Sequence, residues 1–418
     1  MANCTLELTR DAQIDFSWKT YLPAILIAGL GFLVDVYDVL LFAVLRVPSL
    51  HELGVAAPQM LQTGVNLMNM QMFGLIAGGV VWGMVGDRKG RKAALFGSIL
   101  VYSIATLLNG MVTSVAQYAA LRFIAGFGLA GEVGAAMTIA AEMTPARYRT
   151  LGTAAVSFMG VLGSVLAAYT AESTTWRNAF YIAGAAGLAL LCIRIKMKES
   201  RLFETAKKRA DAAGMTGSSL ALLLLSPTRL LKISRLVLAA LPLFFVFGVL
   251  VTFSPEIKAS QADAGGLVAR VAIFYSIGEI LGETASGIMS QLLRSRKRVM
   301  IGFQIVGLIV CLYTLQARAE QYALLCLPLG FCVGYWALVI TTASEQFGTN
   351  VRSTVTTIVP NLMRASHIPI NLLFAWLATA FGISQTLLAM TLGAYALAFI
   401  SVIGMQETAG KDLDFLEE

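Results

Sequence analysis

The 418 residues are 57% hydrophobic and only 13% charged, with a mean hydropathy of +0.74. A soluble domain carries about twice that charged fraction, so composition excludes a soluble protein and leaves a polytopic membrane protein with little outside the bilayer. The net charge of +7 does not call for a nucleic-acid partner, because the cations fall in short loops between apolar runs.

Residues 1–19 are polar and of mixed charge, and read as a cytoplasmic N-terminal segment. The run Tyr21 to Leu45 is too long for the apolar region of a signal peptide and reads as the first span. Apolar runs of about 20 residues, the length a bilayer core requires, lay out twelve spans. The first six lie near 20–45, 63–85, 93–111, 117–143, 152–171 and 178–195. The second six lie near 235–254, 267–292, 299–317, 322–344, 353–380 and 385–405. The expected fold is therefore all-α, with six-helix bundles over 20–195 and 235–405, a cytoplasmic connection over 196–234 and a tail over 406–418. Within the connection, Leu220–Leu225 is too short to span and is expected to lie along the interface. With both termini inside, 24 of the 31 Lys and Arg residues fall on the cytoplasmic side, and only Arg46, Arg177, Lys258 and Arg318 fall outside. Cys4, Cys192, Cys311, Cys326 and Cys332 show neither a CxxC nor a metal-ligand spacing, and read as packing residues.

Between the second and third spans stands Gly83-x₃-Asp87-Arg88-Lys89-Gly90-Arg91-Lys92. Four cations in five residues demand a tight cytoplasmic loop. Gly83 is expected to let helices approach, and Gly90 to supply a turn that other residues resist. An internal repeat accompanies it. Gly74, Gly78 and Gly83 recur as Gly278, Gly282 and Gly287, an offset of 204. Glu142-x₆-Arg149 recurs as Glu345-x₆-Arg352, an offset of 203, and the charged loop recurs in degraded form at 294–298 with Gln291 in place of Asp87. Two six-span halves of the same orientation follow. The stretch GMVGDRKGRKAAL resembles the signature loop of the major facilitator superfamily of secondary transporters.

Charge inside a membrane marks function by default. By this layout it is confined to four spans: Asp35 and Asp38 in the first, Arg122 and Glu132 in the fourth, Arg270, Glu279 and Glu283 in the eighth, and Arg364 and His367 in the eleventh. Asp35 and Asp38 share one helix face. Asp38 lies roughly 10 Å, and Arg122 roughly 7–8 Å, below the outer ends of their helices, so the guanidinium reaches Asp38 or Asp35. Five carboxylates facing three arginines leave two excess negative charges. That excess suits carboxylates that load and release protons, and equally suits Na⁺ or a cationic substrate. The first span, GFLVDVYDVLLF, and the fourth, with Arg122, Gly126, Gly128, Gly131 and Glu132, resemble those of proton-coupled organic-anion, phosphate and sugar symporters. That resemblance implies a proton-broken pair between a first-helix Asp and Arg122, with Asp35, Asp38, Arg122 and Glu132 as coupling residues. It also implies that helices 1, 4, 7 and 10 line the cavity, that 2, 5, 8 and 11 join the halves, and that 3, 6, 9 and 12 face lipid.

Asn361, Arg364 and His367 stand at three-residue steps on one face, between Pro360 and Pro369, which can kink the helix. Arg364 suits a substrate carboxylate or phosphate, or else a pairing with Glu279 or Glu283. Tyr37, Gln71, Tyr335 and Trp336 complete the candidate substrate-binding set. The same resemblance implies a cytoplasmic gate of Gly83, Asp87, Arg88, Gly90 and Arg91 with Glu142, Arg149, Glu345 and Arg352. Lys198-Glu199-Ser200-Arg201 lacks both prolines of the matching sugar-porter element, which argues against a sugar porter. The expected function is proton-coupled import of a small polar solute, most readily an organic anion. The alternatives are an exporting antiporter and a symporter of phosphate, sugar or a zwitterion. The expected setting is a monomer in the cell membrane, with the proton gradient as its energy source and no cofactor, metal or enzymatic chemistry.

Overall fold

The computed structural model describes residues 18–89, 91–143, 149–194, 226–258, 264–347 and 349–409. The expected interfacial helix at 220–225 lies outside them, as do Gly90 and the side chains of Asp87, Arg88, Arg91, Glu142, Arg149 and Arg352.

Among the described residues every regular element is helical. The first half holds α1 (Trp18–Glu52), α2 (Met60–Lys89), α3 (Arg91–Asn109), α4 (Val115–Met143), α5 (Arg149–Ser173) and α6 (Trp176–Arg194). The second half opens with α7 (Pro227–Ala239) and α8 (Leu241–Phe245), then a π-helical turn (Val246–Val251) and the short α9 (Ser254–Ile257). There follow α10 (Ala264–Leu292), α11 (Arg296–Gln316), α12 (Ala319–Val333), α13 (Trp336–Gln346), α14 (Thr349–Ala365), α15 (His367–Phe381) and α16 (Ile383–Gly404). Among the described residues, five stretches are each long and apolar enough to cross a bilayer: Ala57–Val85, Trp176–Arg194, Arg296–Gln316, Glu320–Gln346 and Ile383–Gly404. The α7–α8 pair, bent by 45°, is a sixth if it counts as one span.

Three expected spans are interrupted, and each break has a local cause. Pro242 brings no N–H to the turn after α7, so the chain bends at Ala240. The freed Ala239 carbonyl accepts from the Tyr335 hydroxyl at 2.9 Å. Pro369 does the same to α14, which stops at Ala365 before α15 begins at His367, whereas Pro360 is carried inside α14. Between α12 and α13, Gly334 lies against the α10 backbone at Glu279 and Gly282, where a Cβ would overlap. The first span is longer than expected. It runs 35 residues and gives way only before Gly54, whose φ of +78° costs glycine nothing.

Glycine sets the tightest crossings, in duplicate. A Cβ at Gly74 or Gly78 of α2 would overlap the Phe123 and Phe127 carbonyls of α4, and one at Gly126 would overlap Gln71. Shifted by 204, Gly278 and Gly282 of α10 meet Leu327 and Phe331 of α12, and Gly330 meets Tyr275. Gly83 and Gly287 break this pattern, because no described atom lies within 4 Å of where their Cβ would stand. The expected helix-approach role of Gly83 is thus corrected: the close approach happens a turn or more earlier. Across the halves, α2 packs on α14 and α15, α5 on α10, and α1 on α10. Large apolar side chains stay exposed on α3, α6, α11 and α16, among them Ile104, Ile182, Ile309 and Ile400, as an acyl-chain environment favours.

The charged turns differ between the halves. α2 continues as helix through Lys89 and α3 starts at Arg91, so the residues on either side of Gly90 are already helical. Its counterpart at +204 is Arg294, the one described non-glycine residue with positive φ, at 46°. Arg296, two residues on, pairs with Glu345 at 2.7 Å. Glu407 closes the same corner by accepting from the Ser295 hydroxyl and from the Arg296 amide. Its partial burial raises its pKa, but these hydrogen bonds outweigh that and hold the carboxyl below its usual range. At the opposite end of the bundle, Arg46 of α1 is fully buried against Gly64 and the Phe253 ring. There it pairs with Glu256 of α9 at 2.7 Å and ties the two halves together.

Two expectations follow for thermal melting of the purified protein. Gly282→Ala should cost about 1–3 kcal/mol by forcing α10 off α12, while Gly287→Ala in open space should leave the melting temperature in place. Arg294→Gly should raise stability by about 1 kcal/mol, by removing a side chain from left-handed backbone.

Candidate functional site

Asp35 and Asp38 leave α1 on one face, and both are buried, at 1% and 0% exposure. Their partners are different. Asp38 Oδ2 accepts from Arg122 Nη2 of α4 at 3.0 Å and from Gln71 Nε2 of α2 at 2.9 Å. Arg122 Nη2 also donates to Gln71 Oε1, so the amide bridges acid and base. The guanidinium lies over the Phe42 ring, 4.4 Å from its centroid, which gives its face an electron-rich partner. The pair is held at one point only. Asp38 Oδ1 and Arg122 Nε and Nη1 are buried without a described hydrogen-bond partner.

The other two buried pairs are two-pronged. Arg364 of α14 donates from Nη1 and Nη2 to the two oxygens of Asp35, at 3.1 and 2.6 Å. Arg194, the last residue of α6, donates from Nη1 to both oxygens of Glu132, at 2.7 and 2.6 Å. Gly31 of α1 makes room for this last pair, since a Cβ there would overlap both side chains.

These contacts decide one open expectation and correct three. Arg122 takes Asp38 and leaves Asp35 to Arg364. Arg364 takes Asp35 rather than Glu279 or Glu283. Arg270 is exposed, so it does not count among the interior charges. Arg194, placed by its sequence neighbours among the cytoplasmic cations, is 3% exposed. The three fully buried acids, Asp35, Asp38 and Glu132, therefore each meet an arginine. The acid excess falls instead on Glu279 and Glu283 of α10, both half-buried, where Glu279 accepts from the Tyr275 hydroxyl at 3.4 Å.

Around the π turn a second polar group collects. His367, 4% exposed, seats its ring against Gly248 and is flanked by Phe244 and Phe247 at 5.1 and 6.2 Å. Trp336 meets Phe244 edge-on at 5.6 Å. Asn371, which sequence reasoning missed, donates to Asn69 of α2 at 3.5 Å. Asn361 is buried against Gly79. Two candidates stand apart. The Tyr335 hydroxyl is spent on the Ala239 carbonyl, and Tyr37 faces an apolar crevice of about 150 Å³ beside Leu166, Thr170 and Ile182. Arg46 and Arg194 were also missed as buried bases. Their only signal in the sequence was that each closes an apolar run.

The sequence model of the Major Facilitator Superfamily matches residues 22–366. The sialic acid transporter NanX of Escherichia coli is 25% identical over 390 residues, covering 91% of this chain and 93% of that one. A probable 4-methylmuconolactone transporter of Cupriavidus pinatubonensis is 25% identical over 408 residues, covering 93% and 91%. Among solved structures, the xylose transporter XylE from E. coli, in a partially occluded inward-open conformation, superposes with a TM-score of 0.70 at 19% identity, over 94% of this chain and 100% of that one.

Glu132→Gln should remove the carboxylate charge that both Arg194 hydrogen bonds reach and lower stability by about 3–5 kcal/mol. Replacing both residues, as E132Q/R194Q, should recover a large part of that loss in the same melting measurement.

Proposed function

Since the chain belongs to the major facilitator superfamily, we propose that it is a proton-coupled symporter of a small organic anion, working by alternating access in the cell membrane. The observation that carries this reading is the one-point Asp38–Arg122 pair. One Asp38 oxygen is bare, which leaves a place for a proton, and a single contact holds the other to Arg122. Protonation removes the charge that holds Arg122, and Gln71 can stay bonded to either partner, so opening the pair strands no amide. The Arg364–Asp35 fork and the Arg194 Nη1 contact shared by both Glu132 oxygens resist such opening, because two hydrogen bonds must break together.

The anion reading draws on two supports. Sialic acid and 4-methylmuconolactone, named for two relatives similar over nine-tenths of both chains, each carry a carboxyl group. Arg364, at 16% side-chain exposure, is the least buried of the three intramembrane arginines in the pairs, and Asn361 and His367 lie one turn to either side of it. The fuller arrangement we propose has twelve spans, both termini in the cytoplasm and a monomeric carrier driven by protons alone. In it the Arg46–Glu256 tie closes the outer side, while the 86–92 and 294–298 turns, with Glu142 and Glu345, latch the inner one.

Purified protein screened by thermal shift against sialic acid, 4-methylmuconolactone, phosphate, xylose and an amino acid should be stabilised by the carboxylates. In liposomes, an inward pH gradient should drive their accumulation. Asp38→Asn should abolish proton-driven accumulation and keep substrate counterflow. Full pH-driven uptake by that variant would remove Asp38 from coupling, and stabilisation by sugar or phosphate alone would overturn the anion reading.

A further inference from the structure

We propose that Asp35 is a built-in stand-in for the substrate: in the empty carrier its carboxylate occupies the site on Arg364 that the transported carboxylate takes over. The inference rests on the organic-anion reading above and assigns the anchor within it. The Arg364 fork offers both terminal nitrogens to both Asp35 oxygens, at 3.1 and 2.6 Å, which is the geometry by which a guanidinium recognises a free carboxylate. Asp35 is sealed at 1% exposure while Arg364 keeps 16%, so the base is the member an incoming solute can reach. The two residues belong to different halves, 329 positions apart, so filling the anchor with a solute severs a tie between them.

Exchange has an electrostatic condition. Once displaced, Asp35 is a buried carboxylate that has lost its counter-charge, and it must leave neutral. The balance is one proton and one carboxylate in, with Asp35 converted from carboxylate to carboxylic acid and Arg364 paired throughout. The exchange at Arg364 is by itself electroneutral for a monoanion, and the proton at Asp38 comes in addition. The groups around Asp35 bear on that proton from every side. On its own helix stand Tyr37 and Asp38; α4 brings Arg122 and Glu132, α6 brings Arg194, and α10 brings Tyr275, Glu279 and Glu283. Beyond Arg364 itself, the eleventh span brings His367, while α2 and α5 face α1 with the uncharged Gln71 and Thr170. Arg122 and Arg194 are already engaged with Asp38 and Glu132, which leaves Arg364 as the base Asp35 depends on.

The test compares wild type, Asp35→Asn, Arg364→Gln and the double variant D35N/R364Q in detergent. Binding of sialic acid and 4-methylmuconolactone to wild type should weaken about tenfold per pH unit between pH 6 and 8. D35N should bind them at least as tightly as wild type at pH 6, with no such slope, and R364Q should lose binding. Acetate supplies a readout that needs no natural substrate. Millimolar acetate should raise the melting temperature of D35N by filling the vacated fork, and should leave wild type and D35N/R364Q unmoved. An unchanged pH slope in D35N, or D35N melting that ignores acetate, would overturn the proposal. If acetate rescues D35N but no carboxylate of the panel binds wild type, the anchor stands and the organic-anion reading falls.

Discussion

A charge carried into an apolar bundle must bring its counter-charge with it, because several kcal/mol of lost hydration per ion has to be offset on the spot. In this chain the obligation converges on one helix. α1 supplies Asp38 to Arg122, Asp35 to Arg364 and Arg46 to Glu256, and its Gly31 makes the space in which Glu132 meets Arg194. Two of these ties stay within the first half and two reach into the second. A displacement of α1 against the second half therefore changes the ionic partnerships at the centre and at one end of the bundle together.

The second half meets α1 with broken helices. The α7–α8 turn, the π segment, the α12–α13 break and the α14–α15 break lie around His367, Phe244 and Tyr335. Proline or a glycine crossing causes each helix break, and neighbouring side chains take up freed backbone groups, as Tyr335 does for Ala239. Continuous helices of the first half thus present fixed charges to interrupted helices of the second, whose ends can reorient without unfolding a span.

Duplication explains the frame and divergence explains the chemistry. At one offset of 204 residues, the glycine crossings of α2 with α4 reappear between α10 and α12, because backbone contact tolerates no side chain in either copy. Polar positions carried no such restraint. Gln71 has become Tyr275, Arg122 has become Cys326, Asp87 has become Gln291, and Gly90 has become Arg294 in a conformation glycine would hold without strain. The Asp38–Arg122 pair accordingly has no counterpart at these positions of the second half.

Much of this could be read from the residues in order. Hydropathy and charge placement identified a polytopic membrane chain, glycine spacing exposed the repeat, and helical rise put Asp38 and Arg122 at one depth in the same bundle. Those properties depend on composition, period and distance along an axis, which a linear sequence carries. Depth does not say which way a side chain points or which helix stands opposite. The assignment of Asp35 to Arg364, the burial of Arg194 and Arg46, and the retirement of Tyr335 to a backbone carbonyl were settled only when the halves docked and the breaks at Pro242, Gly334 and Pro369 turned their helices. Helix azimuth and partner choice are properties of the packed bundle, and in a site made of ion pairs they decide which charge meets which.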